Sequence, residues 1–209
     1  MPEMTRIRVL SVDDHPLLRE GVAAIINSQP DMVLVASACT GAEGVEKFQQ
    51  LRPDVILMDL RLPDLSGIDA MISIRAECPD ARVIVLTTFE GDMEIQRALK
   101  AGARGYLLKS MPPELMLDTI RSVHAGKKRI PAELAAQIAE HMSDDSLSDR
   151  EMDVLRHVAE GNRNRDIAGR LFISEETVKV HLKHIMEKLG ANDRTQAVAI
   201  AVRRGIIHL

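Results

Sequence analysis

Through the first 126 positions the apolar residues follow two alternating rhythms. The runs Ile7–Val12, Met32–Ala38, Val55–Met58, Arg82–Thr87 and Gly105–Leu108 are short and nearly all apolar, the pattern of strands buried on both faces. Between them, apolar residues recur at helical spacing, as Leu18, Val22, Ile25 and Ile26 do behind Pro16. Further helices are expected over Gly41–Gln50, Ile68–Glu77, Asp92–Ala101 and Pro113–Ala125, with Gly102 and Gly126 as stops after the last two. Five strands separated by five helices imply an α/β unit: a parallel sheet with helices on both faces.

The rhythm changes near residue 147. Residues 147–209 carry four helix patterns and no strand pattern. Ser148 and Glu151 form a capping box, with Leu147 and Met152 placed as a hydrophobic staple, and Gly161 ends that helix. Asn164 is the expected cap of a second helix reaching about Leu171. Ser174 caps a third, with Glu175 and Glu176 in its first turn, and Asp193 caps a last helix ending at Gly205. Two modules follow, 1–126 and 147–209, joined by a linker over 127–146. In the linker Pro131–Met142 is a candidate helix, and 143–146 a polar hinge. The triplet Lys127-Lys128-Arg129 has two readings, a solvated turn or a DNA contact.

Composition sharpens this division. The chain has 209 residues, 45% hydrophobic but only 2% aromatic, so its cores rest on Ile, Leu, Val, Met and Ala. Residues 1–146 hold 16 Lys+Arg against 22 Asp+Glu, and residues 147–209 hold 11 against 9, nets of −6 and +2. An acidic module thus precedes a mildly basic one. Cys39 and Cys78 have no ligand spacing and read as reduced thiols. With no signal pattern and no apolar run of the ~18 residues a membrane span needs, a cytoplasmic protein is expected.

Chemistry collects after the strands. Asp13 and Asp14 follow the first, Asp59 the third, Thr87 and Thr88 the fourth, and Lys109 the fifth. In an open parallel sheet these ends converge on one edge, where ligands bind. Carboxylates crowded there repel one another, and a hard divalent cation such as Mg²⁺ relieves that penalty. A nearby lysine and hydroxyl complete a cradle for a phosphoryl group on an acceptor carboxylate. No glycine-rich loop follows the first strand, which disfavours dinucleotide and P-loop sites.

Residues 5–126 resemble a response-regulator receiver domain: VDD after the first strand, MDLRLPD-SG around the third, LTT on the fourth and GYLLK on the fifth. The opening VDDHPLLREG is similar to that of the NarL/FixJ family. The resemblance implies the flavodoxin-like strand order 2-1-3-4-5. It implies phosphorylation of Asp59, with Mg²⁺ held by Asp13, Asp14, Asp59 and the Arg61 carbonyl. Thr87 and Lys109 would meet the phosphoryl group, and Tyr106 would be the switch aromatic. The Arg61 side chain and Phe89 stand where they would tune loss of the phosphoryl group to water. Ser110 departs from the proline that often follows the lysine.

In the third helix of the second module, Val178, Leu182, Ile185 and Leu189 form a core stripe at i, i+4, i+7 and i+11. Lys179, Val180 and Lys183 project roughly opposite, a combination suited to the major groove. Phe172-Ile173-Ser174 gives helix-turn-helix spacing between two short helices. The segment from LSDREMDVL to KLGANDRTQAV resembles the LuxR-type DNA-binding domain over its whole length. That resemblance makes Glu175–Leu189 the recognition helix and implies DNA contacts from Arg165, Ser174, Thr177, Lys179, Val180, Lys183 and His184. It also suggests a dimer contact on the last helix, through Val198, Ile200 and Ala201.

The two halves together read as a two-component transcription factor. Its expected partners are a sensor histidine kinase, double-stranded promoter DNA bound at inverted repeats, and a second copy of itself on activation, with no membrane. It is no enzyme beyond phosphotransfer to its own Asp59 and loss of that group. A haloacid-dehalogenase-like phosphatase is disfavoured, because Arg61 stands where the second aspartate of that site is needed. A phosphorylation-independent DNA binder is the other alternative.

Overall fold

The computed structural model describes residues 6–88, 91–132 and 147–207. Phe89, most of the expected linker helix and the 143–146 hinge lie outside these residues. The chain divides into two compact units, one built on the sheet and one on the last four helices.

In the first unit the elements alternate as β1 (Ile7–Val12), α1 (Pro16–Asn27), β2 (Met32–Ala38), α2 (Gly41–Leu51), β3 (Val55–Met58), α3 (Gly67–Glu77), β4 (Val83–Thr87), α4 (Asp92–Lys100), β5 (Gly105–Leu108) and α5 (Pro113–His124). The strands are all parallel, in the order β2-β1-β3-β4-β5. The continuous apolar runs are explained by burial on two sides. Val55 and Leu57 join the cluster under α1 and α5, with Ile26, Ile84, Leu107 and Ile120. Ile56 and Met58 alternate to the opposite face and are equally buried.

The loop after β3 is pinned at two points. Asp64 reaches the N-terminus of α2, where its carboxylate accepts from the amides of Gly41 (2.8 Å) and Ala42 (3.0 Å). The Ala42 and Gly41 amides hold this carboxyl down at about 2. Ser66 then caps α3 by accepting from the Asp69 amide, and Gly67 begins that helix directly against the backbone of Asp59. A Cβ at Gly67 would lie 1.9 Å from the Asp59 carbonyl oxygen. Glycine is therefore required here for close approach, and it sits beneath a candidate site residue.

After α5 the chain turns at Gly126, and the backbone of Arg129 runs beside β5. The Arg129 amide donates to the Arg104 carbonyl (2.8 Å), and the Tyr106 amide donates to the Arg129 carbonyl (3.1 Å). The basic triplet is exposed, as a solvated turn would be. Its last residue is nevertheless tied into the sheet edge, which neither reading anticipated.

The second unit comprises α6 (Asp149–Ala159), α7 (Asn164–Leu171), α8 (Glu175–Leu189) and α9 (Arg194–Arg203). The Ser148–Glu151 capping box forms as expected. Glu151 is buried, and Lys188 of α8 reaches it at 2.7 Å, tying α6 to α8. Burial pushes the Glu151 carboxyl up, but the bonds from Lys188 and Ser148 outweigh it and leave its pKa below the usual value. Asn164 is not the cap of α7. Arg163 is the last extended residue, and its amide donates to Asp166, so Asn164 is already helical. Among the described residues, no helix is long and apolar enough to cross a membrane.

Gly67→Ala should lower the urea midpoint of the protein, costing ~1–3 kcal/mol as overpacking typically does. An unchanged midpoint would mean that α3 shifts freely away from Asp59.

Candidate functional site

Strand register decides which side chains meet. Val12 pairs with Met58 across β1 and β3, so the residues that follow, Asp13 and Asp59, leave the sheet side by side. The Asp59 amide donates to the Val12 carbonyl (2.9 Å) and the Asp13 amide to the Ala38 carbonyl (3.0 Å). On the other flank Thr87 pairs with Leu108, and the Lys109 amide donates to the Thr87 carbonyl (2.8 Å). All four residues thus stand at the carboxyl edge of the sheet.

Asp13 and Asp59 are each only 3% exposed. Desolvating each of two such carboxylates costs several kcal/mol, and their mutual repulsion adds to it. Lys109 offsets both. Its Nζ lies 2.6 Å from Asp13 Oδ2 and 2.6 Å from Asp59 Oδ2. Burial pulls the Lys109 pKa down, but the hydrogen bonds and charges of the two aspartates outweigh it and hold the ammonium above the ordinary lysine value. Because the folded value is raised, this stabilisation is complete below the ordinary lysine range. It is lost only as pH rises through the higher folded value.

Asp14 is more exposed and faces His15, whose Nδ1 lies 2.7 Å from Asp14 Oδ1 and 3.2 Å from Asp13 Oδ1. Ligand atoms of Asp13, Asp14, His15 and Asp59 all lie within 4.8 Å of one another. Three carboxylates and one ammonium leave a net charge of −2 with His15 neutral. The donor set is dominated by carboxylate oxygen, which suits a hard divalent cation such as Mg²⁺. The Arg61 amide approaches Asp59 Oδ1 at 3.3 Å, and Arg61 itself is exposed.

Thr87 and Tyr106 are both fully buried. Tyr106 pairs with Val85, two residues before Thr87 on the neighbouring strand. Two participants went unnoticed in the sequence. His15 was readable only as the residue ending the VDD run, and the bond from the Arg19 guanidinium to the Asp13 carbonyl (2.7 Å) spans a helical turn that no motif marks.

In the second unit α8 separates its residues as its periodicity predicts. Val178, Leu182, Ile185 and Leu189 are buried in the unit's core, whereas Lys179, Val180, Lys183 and His184 are exposed together. The Ser174 hydroxyl accepts from the Thr177 amide (3.0 Å) and lies 2.8 Å from the Thr177 hydroxyl, so it is engaged as the cap of α8. Lys179 meets Glu176 at 3.1 Å, and Lys183 meets Glu187 at 3.7 Å. Arg165 is exposed on the first turn of α7. Ala201 is fully buried in the core, which removes it from the expected dimer surface, while Val198 and Ile200 are half-buried against that core.

A 2-1-3-4-5 parallel sheet with this acidic edge, together with a helix-turn-helix unit, defines the class of DNA-binding response regulators. Residues 9–121 match the response regulator receiver domain, and residues 145–201 match the bacterial regulatory proteins of the luxR family. The chain belongs to the LuxR-type response regulators, transcriptional regulators that take their signal from histidine kinases. It is 41% identical to the uncharacterized transcriptional regulatory protein YxjL of Bacillus subtilis, over 97% of this chain and 98% of that protein. The transcriptional regulatory protein LiaR of the same organism is 38% identical, over 97% of this chain and all of its own length. Among solved structures, RcsB from Salmonella enterica serovar Typhimurium, bound to promoter P1flhDC in the presence of phosphomimetic BeF3−, is 26% identical. That match covers 94% of this chain and 98% of that chain at a TM-score of 0.74. Receivers of this family typically use Mg²⁺ at such an acidic pocket.

Lys109→Met should destabilise the protein by ~3–5 kcal/mol in metal-free buffer, because two buried carboxylates lose their shared cation. Saturating MgCl2 should recover part of that loss in urea unfolding. Equal losses with and without MgCl2 would mean that the carboxylates do not hold a divalent ion.

Proposed function

We propose that phosphorylation of Asp59 switches DNA binding by this protein. The observation that carries the reading is the buried Lys109 ammonium held between Asp13 and Asp59, a carboxylate pair whose charge it offsets in part. An Asp59 carboxylate oxygen attacks the phosphorus of a kinase phosphohistidine or a small phosphodonor. A P–O bond to Asp59 forms, the P–N or P–O bond to the donor breaks, and its electron pair leaves with the donor. Lys109 pairs with the added negative charge, and Thr87 donates its hydroxyl to a phosphoryl oxygen. Asp13, Asp14, Asp59 and the Arg61 carbonyl would hold Mg²⁺, which when bound supplies positive charge to the transferring oxygens.

Movement of Thr87 towards the phosphoryl group vacates space that Tyr106 occupies, favouring an active conformation already present as a minor state. The receiver spans 1–126 and the DNA-binding domain 147–209, with 127–146 connecting them. Two copies bind an inverted repeat in the cytoplasm, matching their two-fold symmetry to that of the site. Lys179, Val180, Lys183 and His184 face the major groove, while Arg165, Ser174 and Thr177 stand near its phosphates. Water removes the phosphoryl group from Asp59, at a rate tuned by Arg61 and Phe89. No other catalysis is assigned.

Asp59→Asn should abolish Mg²⁺-dependent labelling by acetyl phosphate; label persisting at another residue would remove Asp59 from the role of acceptor. Lys179→Ala and Lys183→Ala should each weaken binding to a duplex selected by the parent protein, by ~1–3 kcal/mol where a base contact is lost. Unchanged fluorescence anisotropy titrations for both variants would take α8 out of the groove.

A further inference from the structure

Phe172 occupies the turn between α7 and α8 in a conformation that a phenylalanine rarely adopts. Its φ is +54°, in the left-handed region. Elsewhere in the same unit the chain uses glycine for positive φ, at Gly161, Gly190 and Gly205. The other non-glycine with positive φ among the described residues, Arg52 in the first unit, lays its guanidinium over the Phe48 ring. Phe172 gains no such packing, because it is 94% exposed. The turn itself is held firmly. The amides of Phe172 and Ile173 donate to the Ala168 carbonyl, and the Arg150 guanidinium donates to the Leu171 carbonyl. An aromatic ring is thus fixed in water at the expense of backbone strain, a combination that marks functional positions.

Location identifies the occupant. Among the described residues of this unit, the exposed large apolar side chains are Phe172 and Val180. Val180 lies on the exposed face of α8, and Phe172 lies two residues before Ser174, the cap of α8. Arg170, two residues upstream, is exposed and 3.8 Å from Glu160, and Glu175 and Glu176 stand in the first turn of α8. A ring at the N-terminal end of the helix that the DNA-binding reading lays in the groove borders the sugar–phosphate backbone, whose apolar sugar faces suit it better than the phosphates do.

We infer that Phe172 packs its ring against the deoxyribose face of the strand bordering the groove, a sequence-independent contact that sets how α8 enters. The inference rests on the DNA-binding reading of the second unit. A ring without donors or acceptors reads no base edge, but it does bury apolar sugar surface.

The test uses the full-length protein activated with beryllofluoride and two probes: a 5′-fluorescein duplex selected by the parent from a random pool, and an unrelated duplex of equal length. Phe172→Asn relieves the strained φ, so its thermal unfolding midpoint should equal or exceed that of the parent. Its affinity should fall by roughly fivefold to tenfold on both duplexes. The salt slope should not change, because no charge is removed. Phe172→Tyr should retain parental affinity. Equal affinity of Phe172→Asn and the parent overturns the contact and leaves the groove reading of α8 intact, even if transcription falls through lost protein contacts. A lowered unfolding midpoint overturns it too, by showing that the ring stabilises the unit itself. Failure of the parent to bind any duplex overturns both readings.

Discussion

Two carboxylates are forced together by the register of β1 and β3, and the rest of the receiver accommodates that constraint. Asp13 and Asp59 follow paired residues of neighbouring parallel strands, so no side-chain rotamer separates them far. Their repulsion is met by Lys109, delivered from β5 on the far side of β4. Gly67 has to lack a side chain so that α3 starts against the Asp59 backbone. Asp64 anchors the intervening loop to α2. One ammonium shared by two carboxylates leaves the pair with a net negative charge, so the edge keeps an unmet demand for positive charge.

The helix-turn-helix unit solves a different problem with one helix. α8 has to bury one stripe and expose another, and the 3.6-residue period does both. Lys179 and Lys183 lie close to glutamates one turn away on the same helix. Exposed pairs of this kind contribute little to stability, because solvent screens them and ordering two long side chains costs entropy. The pair between buried Glu151 and half-buried Lys188 has another role, since it ties α8 to α6 and so helps set the angle of the exposed stripe.

Much of this was legible in the sequence because local patterns carried it. Continuous apolar runs flanked by Asp13, Asp59, Thr87 and Lys109 read as buried parallel strands with chemistry at their ends, and the sheet order followed from resemblance. What was not legible depends on distant partners. The fit of Gly67 under Asp59 needs the α3 approach, and the reach of Lys109 to two aspartates needs the register. Asn164 misled because asparagine favours caps, whereas Arg163 took the extended conformation and Asp166 supplied the bond. Ala201 misled because the faces of a short, mostly small-residue helix differ little in hydrophobicity, and only packing shows which one is inside. Phe172 was legible as a turn residue but not as a strained one, since φ leaves no trace in a single sequence.

The bridge between Arg129 and β5 bears on where this protein could be divided. The helix stop after the last α/β repeat puts the expected end of the receiver at Gly126, but backbone pairing continues three residues further. Severing the chain at Gly126 would leave the Tyr106 amide and the Arg104 carbonyl without these partners on the outermost strand. A bare strand edge is an invitation to pair with another chain. Any exchange of output domains between regulators of this design would keep its sheet closed by making the junction beyond Arg129.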